Sequence, residues 1–496
     1  MYKNIKFIFC FISLLLLLGY QDARAENDIR FSCGGTVERE VWTLWDTNIR
    51  DYMNKNLLQE RLLKQGDVYA LYDLQVILSN IVSMARRCDR KSRLREISQL
   101  IETSYVALKP GSSFDPGRRW LHSKIQGEVQ LCSVQFLGLA SAVANALATS
   151  NASLSNEEKI FIRETAQIVV EHLLRWGNDA SIRHVQNITL AKPTDVKNTS
   201  HTLFFTDKLL WQITIHAELA GILQASKHQK LGLYEISTEN KARLQKHLNA
   251  LMSLFQARVS IRHDPKSRLG NVGLADLDRG FWRLYPDLRY AGYDKSEKPI
   301  ERIPSADGKT KFEIKINVPV DKVPTRQDTG WDISHARRIV HASDALIRNR
   351  LALKNIYSIQ DQQLPRETLP AAFANTLVAI IWNGDTEKPL FSNYWSGANG
   401  WYRVGYDGGT GERREGNPPY GLTDSFLTGG YITWAQYRPI LGILGQRLYD
   451  LVNSPKGEMD QFVTMYYRKF SKRVPVQTKA LSLFMFYPSL VGIPKK

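Results

Sequence analysis

Residues 328–346 read DTGWDISHARRIVHASDAL, and the spacing within that run decides how the chain is built. Asp332, His335, Arg338 and His341 recur at three-residue steps, so a helix crowds them toward one stripe while Ile339, Ala342 and Leu346 pack on another. Polar groups this dense on a partly apolar helix suggest a cavity wall. The plainer reading is an amphipathic surface helix with a few charges.

Toward the N-terminus, residues 69–85, 131–147 and 209–223 are helix-length and apolar on nearly all sides, as buried helices are. Each precedes a more amphipathic segment. Residues 93–108 place Leu94, Ile97, Ile101, Tyr105 and Leu108 at three- and four-residue steps; 155–176 opens with Ser155 and Glu158 in capping-box register; 239–259 aligns Leu244, Leu248, Leu251 and Phe255. An inner helix followed by an outer one, three times over, is an array of helical hairpins. Toward the C-terminus the quoted run restarts the pattern as a fourth inner helix over 333–347. Its outer mate is expected at 370–382, a fifth inner helix at 426–452, and the closing partner at 457–472. Between the two halves, residues 264–329 are rich in Gly, Pro, Asp and Tyr and contain FWRLYPDLRYAGYD and the alternating KFEIKINV, which predicts an insertion of long loops with one or two short strands. The expected fold is mainly α. Hairpins stacked with their inner helices buried must curve, giving an (α/α) toroid or incomplete toroid with a groove at its concave end.

Residues 1–25 carry Lys3 and Lys6, the run FIFCFISLLLLLGY and the ending Ala23-Arg24-Ala25, the layout of a cleavable secretory signal. The uncharged run is shorter than the ~20 residues of a spanning helix, so the reading is a periplasmic or secreted protein, residues 26–496, with no stable membrane insertion. Three cysteines remain, Cys33, Cys88 and Cys132; they match no zinc pattern, and one pair, Cys88 with Cys132 among the options, can form a staple. The 66 Lys and Arg against 49 Asp and Glu give a net charge of +17 spread along the sequence, a field that attracts polyanions. For an exported protein the economical partner is an acidic polysaccharide. No nucleic-acid-binding module is visible.

The chemistry centres on the quoted run and on residues 393–420, NYWSGANGWYRVGYDGGTGERREGNPPY. Removing the proton beside a uronate carboxylate requires that charge to be neutralised, a base at C5 and a proton donor for the departing O4. Arg337, Arg338 or Arg403 suits the first task, since a guanidinium grips a carboxylate through two parallel hydrogen bonds. His335, beside Asp332, suits the second, and Tyr402 the third. Trp395, Trp401, Tyr406 and Trp331 offer flat faces for sugar rings, and Asn399 a polar contact. Glycoside hydrolysis would instead require two opposed carboxyl groups, for which Asp328, Asp332, Asp407, Glu412 and Asp424 are candidates. A non-catalytic module binding an anionic glycan would need only the groove and the charge. Weaker signals are His216, read as core packing with a face on the same cavity as the alternative, and Asp276-x-Asp278, too sparse for a calcium loop. No spacing calls for a metal or cofactor.

The helical hairpins, the D-x-x-H-A-R-R helix (Asp332, His335, Ala336, Arg337, Arg338) and the N-G-W-Y-R loop (Asn399, Gly400, Trp401, Tyr402, Arg403) together resemble the α/α-toroid superfamily of polysaccharide lyases and related glycosidases. The resemblance implies a sugar groove at the toroid mouth. For the lyases it implies a tyrosine or histidine acid/base beside an asparagine, histidine or arginine that neutralises the uronate.

Overall fold

The computed structural model describes residues 29–494 apart from 112–116, 151, 196–201, 230–231, 233–234, 283–297, 304–312, 320–321, 323–325 and 406–413. The signal-like residues 1–25 therefore lie outside the described part.

The protein is mainly helical. After α1 (Thr36–Leu44), which continues in wider turns to Lys64, three inner and outer pairs follow: α2 (Tyr69–Arg87) with α3 (Lys91–Tyr105), α4 (Gln130–Ala148) with α5 (Asn156–Trp176), and α7 (Asp207–Gln229) with α8 (Thr238–Arg258). The capping box forms as its spacing predicts: Glu158 N donates to Ser155 Oγ at 3.2 Å and Ser155 N to Glu158 Oε2 at 2.7 Å. Among the described residues α4 alone is long and apolar enough to cross a membrane, and 89% of its apolar window is buried inside the protein. A short helix, α6 (Asp179–Leu190), was not evident in the pattern and packs on α8.

The inner helices run parallel, as contacts at two levels show. At their N-terminal ends Arg338 reaches Tyr72 of α2 and Asp207 of α7. Further along, Arg86 of α2 binds Asp344, Arg348 binds Glu218 of α7, and Asn145 of α4 donates to the same Glu218. Parallel helices with N-termini at one end gather their unsatisfied N–H groups there.

The fourth inner helix is not continuous. It divides into α9 (Ile333–Ala336) and α10 (Arg338–Arg348), followed by α11 (Arg350–Tyr357). At the break, Arg338 Nη1 occupies the Ser334 carbonyl at 2.9 Å, the group its own backbone N–H would bond in an unbroken helix. Its expected outer mate, α12 (Thr368–Thr376), is instead largely buried. Asn375 and Thr376 donate to the carbonyls of Gly273 and Ala275, so it is clamped to the insertion. The expected fifth inner helix is also divided, into α13 (Ser425–Thr428), a 3-10 segment (Tyr431–Gln436) and α14 (Ile440–Asn453), because Gly430 turns at φ +77° and Pro439 interrupts the backbone ladder. Then come α15 (Glu458–Tyr466) and α16 (Val476–Phe486); the last returns to pack on α2, where Asn80 donates to Thr428 O and Met485 O.

Two antiparallel ribbons form at the insertion: β1 (Val259–His263), which begins before its expected start at 264, with β2 (Gly273–Leu277), and β3 (Ile300–Ile303) with β4 (Glu313–Ile316). Cys33 pairs with Cys88 across 55 residues of sequence, whereas Cys132 is free and buried at the start of α4. The bridge ties the N-terminal segment to the end of α2, with Gly492 packed against its sulfurs.

Candidate functional site

Asp332 organises one end of the helical assembly. As the N-cap of α9 its Oδ1 accepts from the backbone N–H groups of Ser334 and His335, at 2.9 and 3.1 Å, and from Ser334 Oγ. Its Oδ2 receives Nδ1 of His335 at 2.6 Å. Burial alone would push the Asp332 carboxyl up, but the charge and hydrogen bond of His335 and the bond from Ser334 hold it well below the usual carboxylate range. An ionised carboxylate on Nδ1 fixes the tautomer: Nδ1 carries the proton and Nε2 the lone pair. His335 is 17% exposed, so the ring is held yet reachable.

The loop after α12 brings the second group. Ile333 N donates to Asn393 O and Trp395 N to Trp331 O, which pins the loop to the entry of α9. Buried Asn393 then ties the loop to itself, donating to Gly400 O and Pro418 O and accepting from Leu422 N. This folding sets Tyr402 Oη 3.4 Å from His335 Nδ1. Arg403, at φ +57°, turns its guanidinium over the Tyr402 ring at 5.2 Å. Trp282 from the insertion lies 5.8 Å from the imidazole, backed by Phe204.

Arg338 is buried and anchored by Ser334 O at 2.9 Å, Tyr72 Oη at 3.3 Å and Asp207 at 3.3 Å. Arg337, half-buried beside it, has no hydrogen-bond or ion-pair partner among the described residues. Burial and the neighbouring Arg338 charge make its protonated form costly, a cost that an anion would relieve. Tyr72 stands next to both cations. Burial opposes its ionisation, but Arg338 and Arg337 outweigh that and lower its phenol below the ordinary tyrosine range. Tyr72 lies 266 residues from Arg338 in the chain, so no local pattern marks it.

The structure thus brings His335, Asp332 and Tyr402 together, with Arg337 and Arg338 on the adjoining turn. The tryptophans and Asn399 depart from expectation. Trp331, Trp395 and Trp401 are buried and offer no face to a sugar; Trp331 and Trp395 donate from Nε1 to Phe205 O and Ala275 O and form the wall behind the site. Asn399 Oδ1 accepts from Asn393 N and Tyr420 N, a loop-shaping role. Tyr406 lies outside the described residues. His216 is fully buried against His247, 3.2 Å away, in core packing. Asp276 and Asp278 are taken by Arg279 and Arg258, and no cluster able to hold a metal occurs among the described residues. For hydrolysis, Asp332 is enclosed, Asp328 is held by Arg279 and Arg326, and Asp424 by Lys469; Asp407 and Glu412 fall outside the described residues.

No protein-family model, curated protein or solved structure matches the chain.

Proposed function

We propose that the protein is an exported enzyme that cleaves a uronate-containing polysaccharide by β-elimination, built on an (α/α) toroid whose mouth holds the site. The parallel inner helices and the return of α16 onto α2 support the toroid. The observation that carries the chemistry is the pairing of a carboxylate-oriented histidine, within 3.4 Å of a phenol, with a guanidinium on the next turn that has no hydrogen-bond or ion-pair partner among the described residues.

In this reading Arg337 receives the uronate carboxylate and disperses the charge that develops when C5 loses its proton. Nε2 of His335 takes that proton, Asp332 stabilises the imidazolium, and Tyr402 donates its proton to O4. The C5–H and C4–O4 bonds break as the C4–C5 double bond forms, and no external oxidant or reductant is required. Incubation of the purified protein with pectate, alginate, hyaluronan and heparan sulfate tests this, because elimination leaves a conjugated unsaturated uronate. New reducing ends without that product would indicate hydrolysis. Binding without either would leave a glycan-binding module.

A further inference from the structure

A second chamber lies within the same helices, beyond the site. It encloses about 310 Å³, at the lower end of the ~300–1,000 Å³ typical of small-ligand pockets, and α2, α4, α7 and α10 all contribute to its wall. It starts one turn past Arg337, at Val340 and His341. Four of its charged groups are matched to one another: Arg86 grips Asp344 through both carboxylate oxygens, at 2.9 and 2.8 Å, and Arg348 bonds Glu218 at 2.6 Å and Asp344 at 3.2 Å. Arg87 is taken up by the carbonyls of Pro488 and Val491.

The unmatched groups are neutral ones. His341, stacked on Trp211 at 6.0 Å, has no hydrogen-bond partner among the described residues, nor does the side chain of Gln436. Trp211 is itself buried, and its Nε1 has no partner among the described residues. An imidazole and a carboxamide each offer both a donor and an acceptor, which is what a hydroxyl group requires. Burial pulls the His341 pKa down to about 4, so the ring is uncharged at neutral pH.

We infer that this chamber is a binding site for a neutral, hydroxyl-rich ligand the size of one or two sugar rings, held by hydrogen bonds to His341 and Gln436, with Trp211 buried in the wall behind His341. An anion gains little there, because every guanidinium already has its partners. The inference does not depend on the elimination reaction.

The test is titration of the full-length mature protein with glucose, cellobiose and glucuronate, followed by calorimetry and tryptophan fluorescence. The expected result is saturable one-to-one binding of a neutral sugar, at least tenfold tighter than glucuronate when both are titrated into Arg337→Ala, and weakened at least tenfold in both Gln436→Ala and the lumen-filling Ala142→Leu. Arg337→Ala, which empties the outer site, is expected to leave it unchanged. A melting curve identifies any variant that does not fold, and the half-exposed Gln436→Ala then carries the decision. The inference is overturned if neither neutral sugar binds saturably, if glucuronate binds Arg337→Ala as tightly as the neutral sugar does, or if folded Gln436→Ala binds like the parent.

Discussion

Two histidines six residues apart, His335 and His341, show how differently one helical run is used at its two ends. His335 sits on an ionised carboxylate, beside a phenol and a guanidinium that has no hydrogen-bond or ion-pair partner among the described residues. His341 sits neutral against Trp211, in a wall where Arg348, Asp344, Arg86 and Glu218 satisfy one another. Among the described residues, the outer end leaves a positive charge unmatched and the inner end leaves neutral groups unmatched. Which groups remain unsatisfied, more than which residue types are present, separates a site for an anion from one for a neutral ligand.

The sharpest way to break this contrast is at His335. Loss of the base in His335→Ala is expected to lower turnover of a uronate polymer by about 10²–10⁴-fold, the range for general-base catalysis, while the protein still folds with a lower melting temperature because buried Asp332 loses its partner. Steady-state kinetics with thermal melts checks it; equal turnover in the variant would remove His335 from the mechanism. At the inner end the effect should be the reverse. Glu218→Ala leaves Arg348, Asn145 and Asn349 without their shared acceptor and is expected to destabilise the fold by about 3–5 kcal/mol, measured by denaturant unfolding.

Arg337→Ala should lower kcat/KM by roughly 10²–10³-fold, as for removal of an oxyanion donor, while Arg337→Lys restores part of it. The smallest effect is on pH dependence. His341 and His247 both have pKa values lowered to about 4 by burial, below their unfolded value of about 6.5. Their contribution to stability is therefore full above pH ~6.5 and is lost progressively as pH falls toward 4. Melting temperatures across that window should decline, and His341→Gln should flatten part of the decline.

Much of the architecture is legible in the sequence because burial on all sides and burial on one side leave different patterns; 69–85, 131–147 and 209–223 became α2, α4 and α7 for that reason. The failures are local. Nothing in 333–347 shows that the Arg338 side chain will claim the Ser334 carbonyl and divide the helix, and the inner and outer alternation alone places α12 on the outside when its partners are the carbonyls of the insertion. The disulfide is set by where α1 leads Cys33, a tertiary matter. At the site, Asp332, His335, Tyr402 and Arg337 are readable because they cluster in two short stretches, whereas Tyr72 enters only through the parallel packing of α2 on α10. The tryptophans mislead because an indole suits a sugar face and a buried wall equally well; only burial distinguishes the two.

The central claim, elimination at the outer end, is tested most directly by absorbance near ~235 nm during incubation with uronate polymers, since proton abstraction at C5 creates a conjugated double bond. The account predicts a steady rise that is absent in His335→Ala and strongly reduced in Tyr402→Phe and Arg337→Ala. A flat trace across the uronate panel, or a rise that His335→Ala leaves intact, would contradict it.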